Sequence, residues 1–122
     1  MQEEKPRKPD ERTVDYGLAV IGYCEGLPRS FSGRHISDQL LRSATSVAAN
    51  YAEATEAESP ADFVHKLRLS LKELKESRVW LRFASRIDPA RSVEALRQEA
   101  HELTLMISSS IATALRRAQQ AK

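Results

Sequence analysis

Apolar residues recur every three or four positions in four successive segments of this 122-residue chain. That spacing places the apolar side chains of each segment on one face of an α-helix. No segment alternates polar and apolar residues over a useful length, and no strand–helix–strand pattern occurs. Aromatic residues make up only 6% of the chain, whereas alanine, leucine, glutamate, lysine and arginine are abundant, which favours helices over sheet. We therefore expect an all-α fold.

Signals for helix starts and stops separate the four segments. The predicted helices cover residues 10–25, 35–57, 60–85 and 93–119. Gly26 is a candidate C-cap for the first helix, and residues 29–34 have the composition of a loop. Ser59 can cap the third helix with Pro60 at its first position, and Ser92 can cap the fourth. Four amphipathic helices with short connections pack most simply as an antiparallel up-down-up-down four-helix bundle.

The apolar positions of each helix form the expected core. They are Val14, Leu18, Ile21 and Cys24; Ile36, Leu40, Val47, Tyr51 and Ala54, widened by Leu41, Ala48 and Ala52; Phe63, Leu67, Leu71, Leu74, Leu81 and Ala84; and Val93, Leu96, Ala100, Leu103, Ile107, Ile111 and Leu115. The length suits one domain, which we assign to residues 10–120. Residues 1–9 are polar and contain two prolines, so we expect a flexible tail there.

The overall composition limits the possible partners and the cellular location of the protein. The formal net charge of +2 gives a weak overall field that neither demands nor excludes an anionic partner. A single cysteine, Cys24, cannot form an internal disulfide, which fits a reducing cytoplasm. No apolar stretch is long enough for a signal peptide or a membrane span. We expect a cytoplasmic protein with no membrane partner.

Two lines of residues follow the second and third helices outside the expected core. Their members stand three or four positions apart, so each line occupies one helix face. They are Gln39, Arg42, Ser46, Asn50 and Glu53 on the second helix, and Lys66, Leu69, Glu73, Glu76 and Trp80 on the third. We expect Arg42 to face Glu73 or Glu76. Because a tryptophan and a leucine stand among charges here, we interpret both lines as a subunit interface. The alternative is two solvated faces with incidental ion pairs.

A third line, on the third helix, is basic. It consists of Arg68, Lys72, Lys75, Arg78, Arg82 and Arg86. Residues 66–91 hold eight basic side chains against three acidic ones, which is the strongest local charge asymmetry of the chain. Such a line can bind phosphates by releasing counterions. The alternative is a solvated face whose cations pair with neighbouring carboxylates.

Patterns that carry catalysis or bind cofactors are missing from the sequence. The nearest approach to a Glu-x-x-His metal motif is Asp62 with His65, at a helix start and without a second copy. Cys24 has no local base and is better explained as a small core residue. The four glycines do not form a phosphate-binding loop. We predict no enzymatic activity, no metal and no cofactor.

Residues 42–50, followed by Glu53 and Ala54, resemble the second-helix motif of the bacterial four-helix bundle proteins. That family is also called the 23S rRNA intervening-sequence proteins, and its motif is close to Arg-Ser-Gly-Thr-Ser-Ile-Gly-Ala-Asn followed by a Glu. The family's third helix is matched in the same register by Asp62-Phe63, Lys66-Leu67, Leu71-Lys72-Glu73, Glu76 and Trp80-Leu81. Ala44 and Ala48 stand where the family commonly has glycine.

This resemblance implies an up-down bundle that assembles as a homo-oligomer, with pentamers as the best-known form, and it brings no catalytic residues. The chain is also similar to the accessory proteins of diversity-generating retroelements, which form basic five-fold barrels and work with reverse transcriptase and nucleic acid. We therefore predict a non-enzymatic oligomer that binds RNA or DNA through repeated basic faces. The alternatives are a scaffold whose basic line meets an acidic protein and, third, an enzyme with an unrecognised site.

Overall fold

The computed structural model of the protein describes residues 6–121 and confirms the all-α four-helix bundle. The helices are α1 (Pro9–Cys24), α2 (Phe31–Thr55), α3 (Pro60–Ile87) and α4 (Glu94–Gln120). No strand occurs between residues 6 and 121. None of the helices in this range is long and apolar enough to cross a membrane.

The helices pack around one core in chain order. α2 packs against α1 and α3, and α4 packs against α3 and α1. Along α2 and α3 the ion pairs run in opposite directions, because Arg42 meets Glu76 whereas the later Glu53 meets the earlier Lys66. This pairing is consistent with the predicted up-down-up-down order.

α2 begins four residues earlier than the sequence pattern predicts. The Ser30 hydroxyl accepts a hydrogen bond from the Gly33 N–H at 3.1 Å and caps the helix. A Cβ on Gly33 would collide with the Pro28 carbonyl oxygen, so only glycine fits the first turn where the chain folds back. The predicted loop over residues 29–34 is therefore wrong from residue 31 onward, since its small polar residues cap and open a helix.

The other helix ends follow the prediction in part. Ser59 caps α3 as expected, accepting the Asp62 N–H at 3.0 Å, with Pro60 at the first helical position. Ser92 accepts the Glu94 N–H at 3.1 Å, although Val93 is the residue that flanks α4. Gly26 is not the C-cap of α1. Glu25 takes that place in a right-handed conformation.

The core combines leucines and isoleucines of α2, α3 and α4 with valines, alanines and two tyrosines. The predicted positions that are buried as expected are Ile36, Leu40, Val47, Ala54, Leu67, Leu74, Leu81, Ala84, Val93, Ala100, Leu103, Ile107 and Ile111. Cys24, Tyr51, Phe63, Leu71 and Leu96 are half-buried against the same core. Predicted core positions that are instead exposed include Leu41, Ala52 and Leu115.

The predicted apolar face of α1 is the wrong face. Val14, Leu18 and Ile21 are 50%, 58% and 37% exposed. A second line on the same helix, which contains Tyr16 and Val20, enters the core instead. Tyrosine buries a large apolar ring when its hydroxyl finds a partner, and the bundle supplies one for Tyr16.

Small buried side chains bring the backbones of α2 and α3 close together. Ser43, Ala44 and Ser70 are fully buried. Ser70 donates a hydrogen bond across the contact to the Val47 carbonyl oxygen at 2.8 Å. Each buried hydroxyl is satisfied by a backbone carbonyl, so the close approach leaves no polar group without a partner here.

The predicted tail falls only in part within the described residues, since residues 1–5 lie outside them. The expected flexibility of residues 1–9 therefore stays a prediction. Arg7, just before α1, pairs with Asp15 at 2.8 Å and with Glu99 of α4 at 3.1 Å. Pro9 is the first residue of α1.

Candidate functional site

The two lines predicted on α2 and α3 face each other across the groove between these helices. The Arg42 guanidinium binds the carboxylates of Glu73, at 3.2 Å, and of Glu76. Farther along the groove, the Lys66 ammonium lies 3.3 Å from a carboxylate oxygen of Glu53. The prediction that Arg42 faces Glu73 or Glu76 is confirmed, and it meets both.

We call the ion pairs of Arg42 with Glu73 and Glu76, and of Lys66 with Glu53, the ladder. Trp80 lies at one end of it. Its indole N–H donates to the Glu76 carboxylate at 3.1 Å. The ring packs edge-on against His35, with ring centroids 5.6 Å apart. It also packs against the tilted ring of Phe83, with centroids 5.4 Å apart. Trp80 is therefore half-buried among residues of its own chain and forms part of an aromatic cluster at the surface.

The short polar residues of the α2 line find partners within their own helix. Ser46 donates to the Arg42 carbonyl oxygen at 2.7 Å, and Asn50 donates to the Ser46 carbonyl oxygen at 2.9 Å. Gln39 accepts from Arg42 at 3.4 Å, and Leu69 of the facing line is half-buried. These polar side chains therefore form hydrogen bonds within a single chain. The role of both lines as a subunit interface stays a prediction.

The basic line lies on the outer face of α3, turned away from the ladder. Arg68, Lys72, Lys75, Arg82 and Arg86 are all exposed. None of these five forms an ion pair with a carboxylate of residues 6–121. The sixth member, Arg78, is half-buried and donates to the Thr104 hydroxyl of α4 at 3.3 Å.

A surface cleft of about 510 Å³ opens where the end of α3 meets the start of α4. We call it the arginine cleft. It is lined by Val79, Arg82, Phe83, Ser85, Arg86 and Arg97. Two members of the basic line thus share one depression with a cation from a different helix.

Reasoning from the sequence missed Phe83 and Arg97. Phe83 stands three residues after Trp80, so helical spacing could have placed the two rings on one face. Arg97 has no such signal, because its position beside Arg82 and Arg86 depends on how α4 packs against α3.

Nucleophilic chemistry has little support in the geometry. Burial raises the pKa of the Cys24 thiol to about 11, so the thiolate is scarce near neutral pH. No group of three or more histidine, cysteine, aspartate or glutamate side chains stands close enough to hold a metal anywhere in residues 6–121. The absence of enzymatic activity stays a prediction.

Comparison with known proteins finds one family and a solved relative. The sequence model described as 23S rRNA-intervening sequence protein matches residues 11–109. A solved structure from Bacteroides thetaiotaomicron VPI-5482, a protein with unknown function from the S23 ribosomal protein family, is similar to this chain at 28% identity with a TM-score of 0.78. The similarity covers 85% of this chain and 98% of that one. No curated protein shows significant sequence similarity.

Proposed function

Because the chain belongs to the 23S rRNA-intervening sequence protein family, we propose that it is a non-enzymatic, homo-oligomeric bundle that binds RNA or DNA through the basic line of α3. A pentamer is the form we expect from the family resemblance. We also propose a cytoplasmic location, since a single cysteine leaves no internal disulfide.

The observation that carries the proposal is the separation of charge around α3. Glu73 and Glu76, two of its three acidic residues, turn toward α2, where Arg42 neutralises them. Its outer face keeps five exposed cations with no carboxylate partner among residues 6–121. A row of unpaired cations attracts a polyanion because binding releases the counterions of the phosphates.

The length of the row suits several phosphates. Residues 68 and 86 are 18 positions apart, which corresponds to about 27 Å along a helix. That span equals roughly eight base pairs of a duplex at about 3.4 Å per step. Assembly of several copies would repeat the row, and weak contacts on each copy would then add through multivalency.

Self-association has support from the surface of α1. Val14, Leu18 and Ile21 form an apolar line that is open to water in the single chain. Such lines favour burial against another surface. The ladder between α2 and α3 also keeps exposed groups, since the Arg42 side chain is 47% exposed. A second copy could bind at either place.

Anisotropy of labelled RNA and DNA over a salt series tests the proposed binding. We expect the affinity to fall steeply as salt rises, and to be largely lost in the double variant Lys72→Glu with Lys75→Glu. A matched control is Arg116→Glu with Arg117→Glu, which changes the net charge equally on the exposed end of α4.

Absent or salt-insensitive binding by the wild-type chain would overturn the proposal, as would equal losses in the two double variants. The alternative scaffold role predicts a different pattern. An acidic protein partner would be captured after nuclease treatment, and no nucleic acid would bind.

A further inference from the structure

The arginine cleft gathers three guanidinium groups from two helices. Arg82 and Arg86 stand one turn apart on α3, and Arg97 reaches the same cleft from α4. Glu94 pairs with Arg97 at 3.0 Å, but neither Arg82 nor Arg86 has a carboxylate partner among residues 6–121. Three cations that line one cleft with one counter-charge favour an added anion. Arginine suits phosphate oxygens because its planar fork can donate two hydrogen bonds.

Two apolar lining residues distinguish this cleft from a simple anion site. Phe83 lies among the arginines and is 51% exposed, and Val79 beside it is 46% exposed. The Phe83 ring is supported by Trp80, with centroids 5.4 Å apart and planes inclined by 37°. A supported and accessible ring beside cations is the arrangement on which nucleic-acid bases stack. A bare phosphate would use the arginines and leave this ring without a role.

From this combination we propose that the arginine cleft holds one nucleotide of a single-stranded nucleic acid. Its phosphate lies on Arg82, Arg86 and Arg97, and its base stacks on Phe83. The volume of about 510 Å³ is within the range of small-molecule sites. A base inside a duplex is paired and stacked on both sides, so it cannot reach Phe83. The inference rests on the proposed function and adds to it a preference for single strands.

The test uses the emission of Trp80, the only tryptophan of the chain, together with binding curves. A single-stranded oligonucleotide is compared with a duplex of the same length at the same salt concentration. We expect the single strand to quench Trp80 emission and the duplex to leave it nearly unchanged. Phe83→Leu should weaken single-strand binding about tenfold, because one stacking contact is lost, and change duplex binding less than about twofold.

Two controls separate the cleft from general effects. Phe31→Leu changes another exposed phenylalanine, which does not line the cleft, and should leave both affinities unchanged. Arg82→Gln with Arg86→Gln should weaken binding of both ligands and flatten the salt dependence, since two phosphate contacts are removed.

The outcomes distinguish this inference from the proposed function. If the wild-type chain binds both ligands and Phe83→Leu weakens them equally or not at all, the nucleotide site is wrong while the basic line stands. If the wild-type chain binds neither ligand, both proposals fall together. Quenching by the single strand with a selective loss in Phe83→Leu supports both.

Discussion

The hydroxyl groups of Tyr16 and Ser77 lie 2.8 Å apart in the buried centre of the bundle. They join α1 to α3, two helices whose backbones are not neighbours. Ser77 also lies 2.6 Å from the Leu74 carbonyl oxygen and donates its proton there. Tyr16 is therefore the donor to Ser77, and its ring spans the core to reach that partner.

Removing the acceptor, Ser77, should lower the free energy of unfolding more than removing the donor, the Tyr16 hydroxyl. Ser77→Ala leaves the buried Tyr16 hydroxyl without a partner and should lower the free energy of unfolding by about 1–3 kcal/mol. Tyr16→Phe leaves Ser77 bonded to Leu74 and should cost about 1 kcal/mol. The double variant should be more stable than Ser77→Ala alone, because no orphaned hydroxyl remains. Urea unfolding followed by circular dichroism measures all three. Strict additivity would contradict the hydrogen bond itself, and a larger loss in Tyr16→Phe than in Ser77→Ala would contradict the assigned donor.

Alkaline pH should destabilise the bundle through the same tyrosine. Burial raises the pKa of Tyr16 to about 12 from an ordinary value near 10. Between these values the unfolded chain loses the phenolic proton while the folded chain keeps it, so stability falls as pH rises. The full loss from this group is about 2–3 kcal/mol, complete above pH of about 12. Compared from about pH 9 upward, the unfolding free energies of wild type and Tyr16→Phe should approach each other and then cross, because the expected loss exceeds the initial advantage of the wild type.

Two glycines should respond to alanine in opposite directions. Gly22 lies inside α1 and faces open space where a Cβ would project, so Gly22→Ala should stabilise the protein by about 0.5–1 kcal/mol. Gly33→Ala would push into the Pro28 carbonyl oxygen and should destabilise by on the order of 2–3 kcal/mol. Thermal unfolding of the two variants in parallel provides the comparison, and a shift of the same sign in both would count against the close approach at Gly33.

The Cys24 thiol should react slowly with alkylating reagents in the native protein. With its pKa raised to about 11 by burial, the thiolate fraction near neutral pH is about 100-fold below that of a thiol with the reference value of 9.0. Alkylation by iodoacetamide should therefore be much slower in buffer than in urea, and the native rate should keep rising to about pH 11. Equal rates in the two solvents would show that the thiol is not protected.

The proposed assembly can be checked with substitutions on the two candidate surfaces. Leu18→Lys places a charge in the exposed apolar line of α1, and Leu69→Glu does so beside the ladder on α3. We expect the wild-type chain to scatter light as an oligomer at micromolar concentration and the variant on the true interface to be a monomer. A monomeric wild-type chain at those concentrations would exclude both surfaces as interfaces.

The sequence predicted the buried face of a helix correctly where the helix has a single apolar line. Leu67, Leu74 and Leu81 recur every seven residues on α3, and all three are fully buried. On α1 two apolar lines compete, and periodicity cannot rank them. The outcome depends on a hydroxyl partner, Ser77, which lies in another helix and is not visible in local spacing.

In the candidate site, too, the sequence predicted contacts that depend on helical spacing but not those that depend on helix packing. Helical spacing was enough to identify the basic line and to predict the contact of Arg42 with Glu76. It could not reveal that Arg97 would join Arg82 at a cleft, because that meeting depends on how α4 packs against α3. Features within one helix were predictable, whereas features shared between helices required the fold.

Arg91, in the turn between α3 and α4, contributes a hydrogen bond to the C-terminal end of α1. Its guanidinium donates to the Tyr23 carbonyl oxygen at 2.7 Å, lies 4.3 Å from the centre of the Tyr23 ring, and is held by Asp88 at 2.8 Å. A Cβ on Gly26 would collide with this guanidinium, so the glycine provides space rather than a left-handed turn. The Tyr23 carbonyl oxygen, which also accepts the Gly26 N–H at 3.1 Å, thus receives a second partner from a residue 68 positions later. One of the hydrogen bonds that cap the first helix is therefore supplied from the turn before the last helix, so the cap of α1 is complete only once the whole bundle has closed.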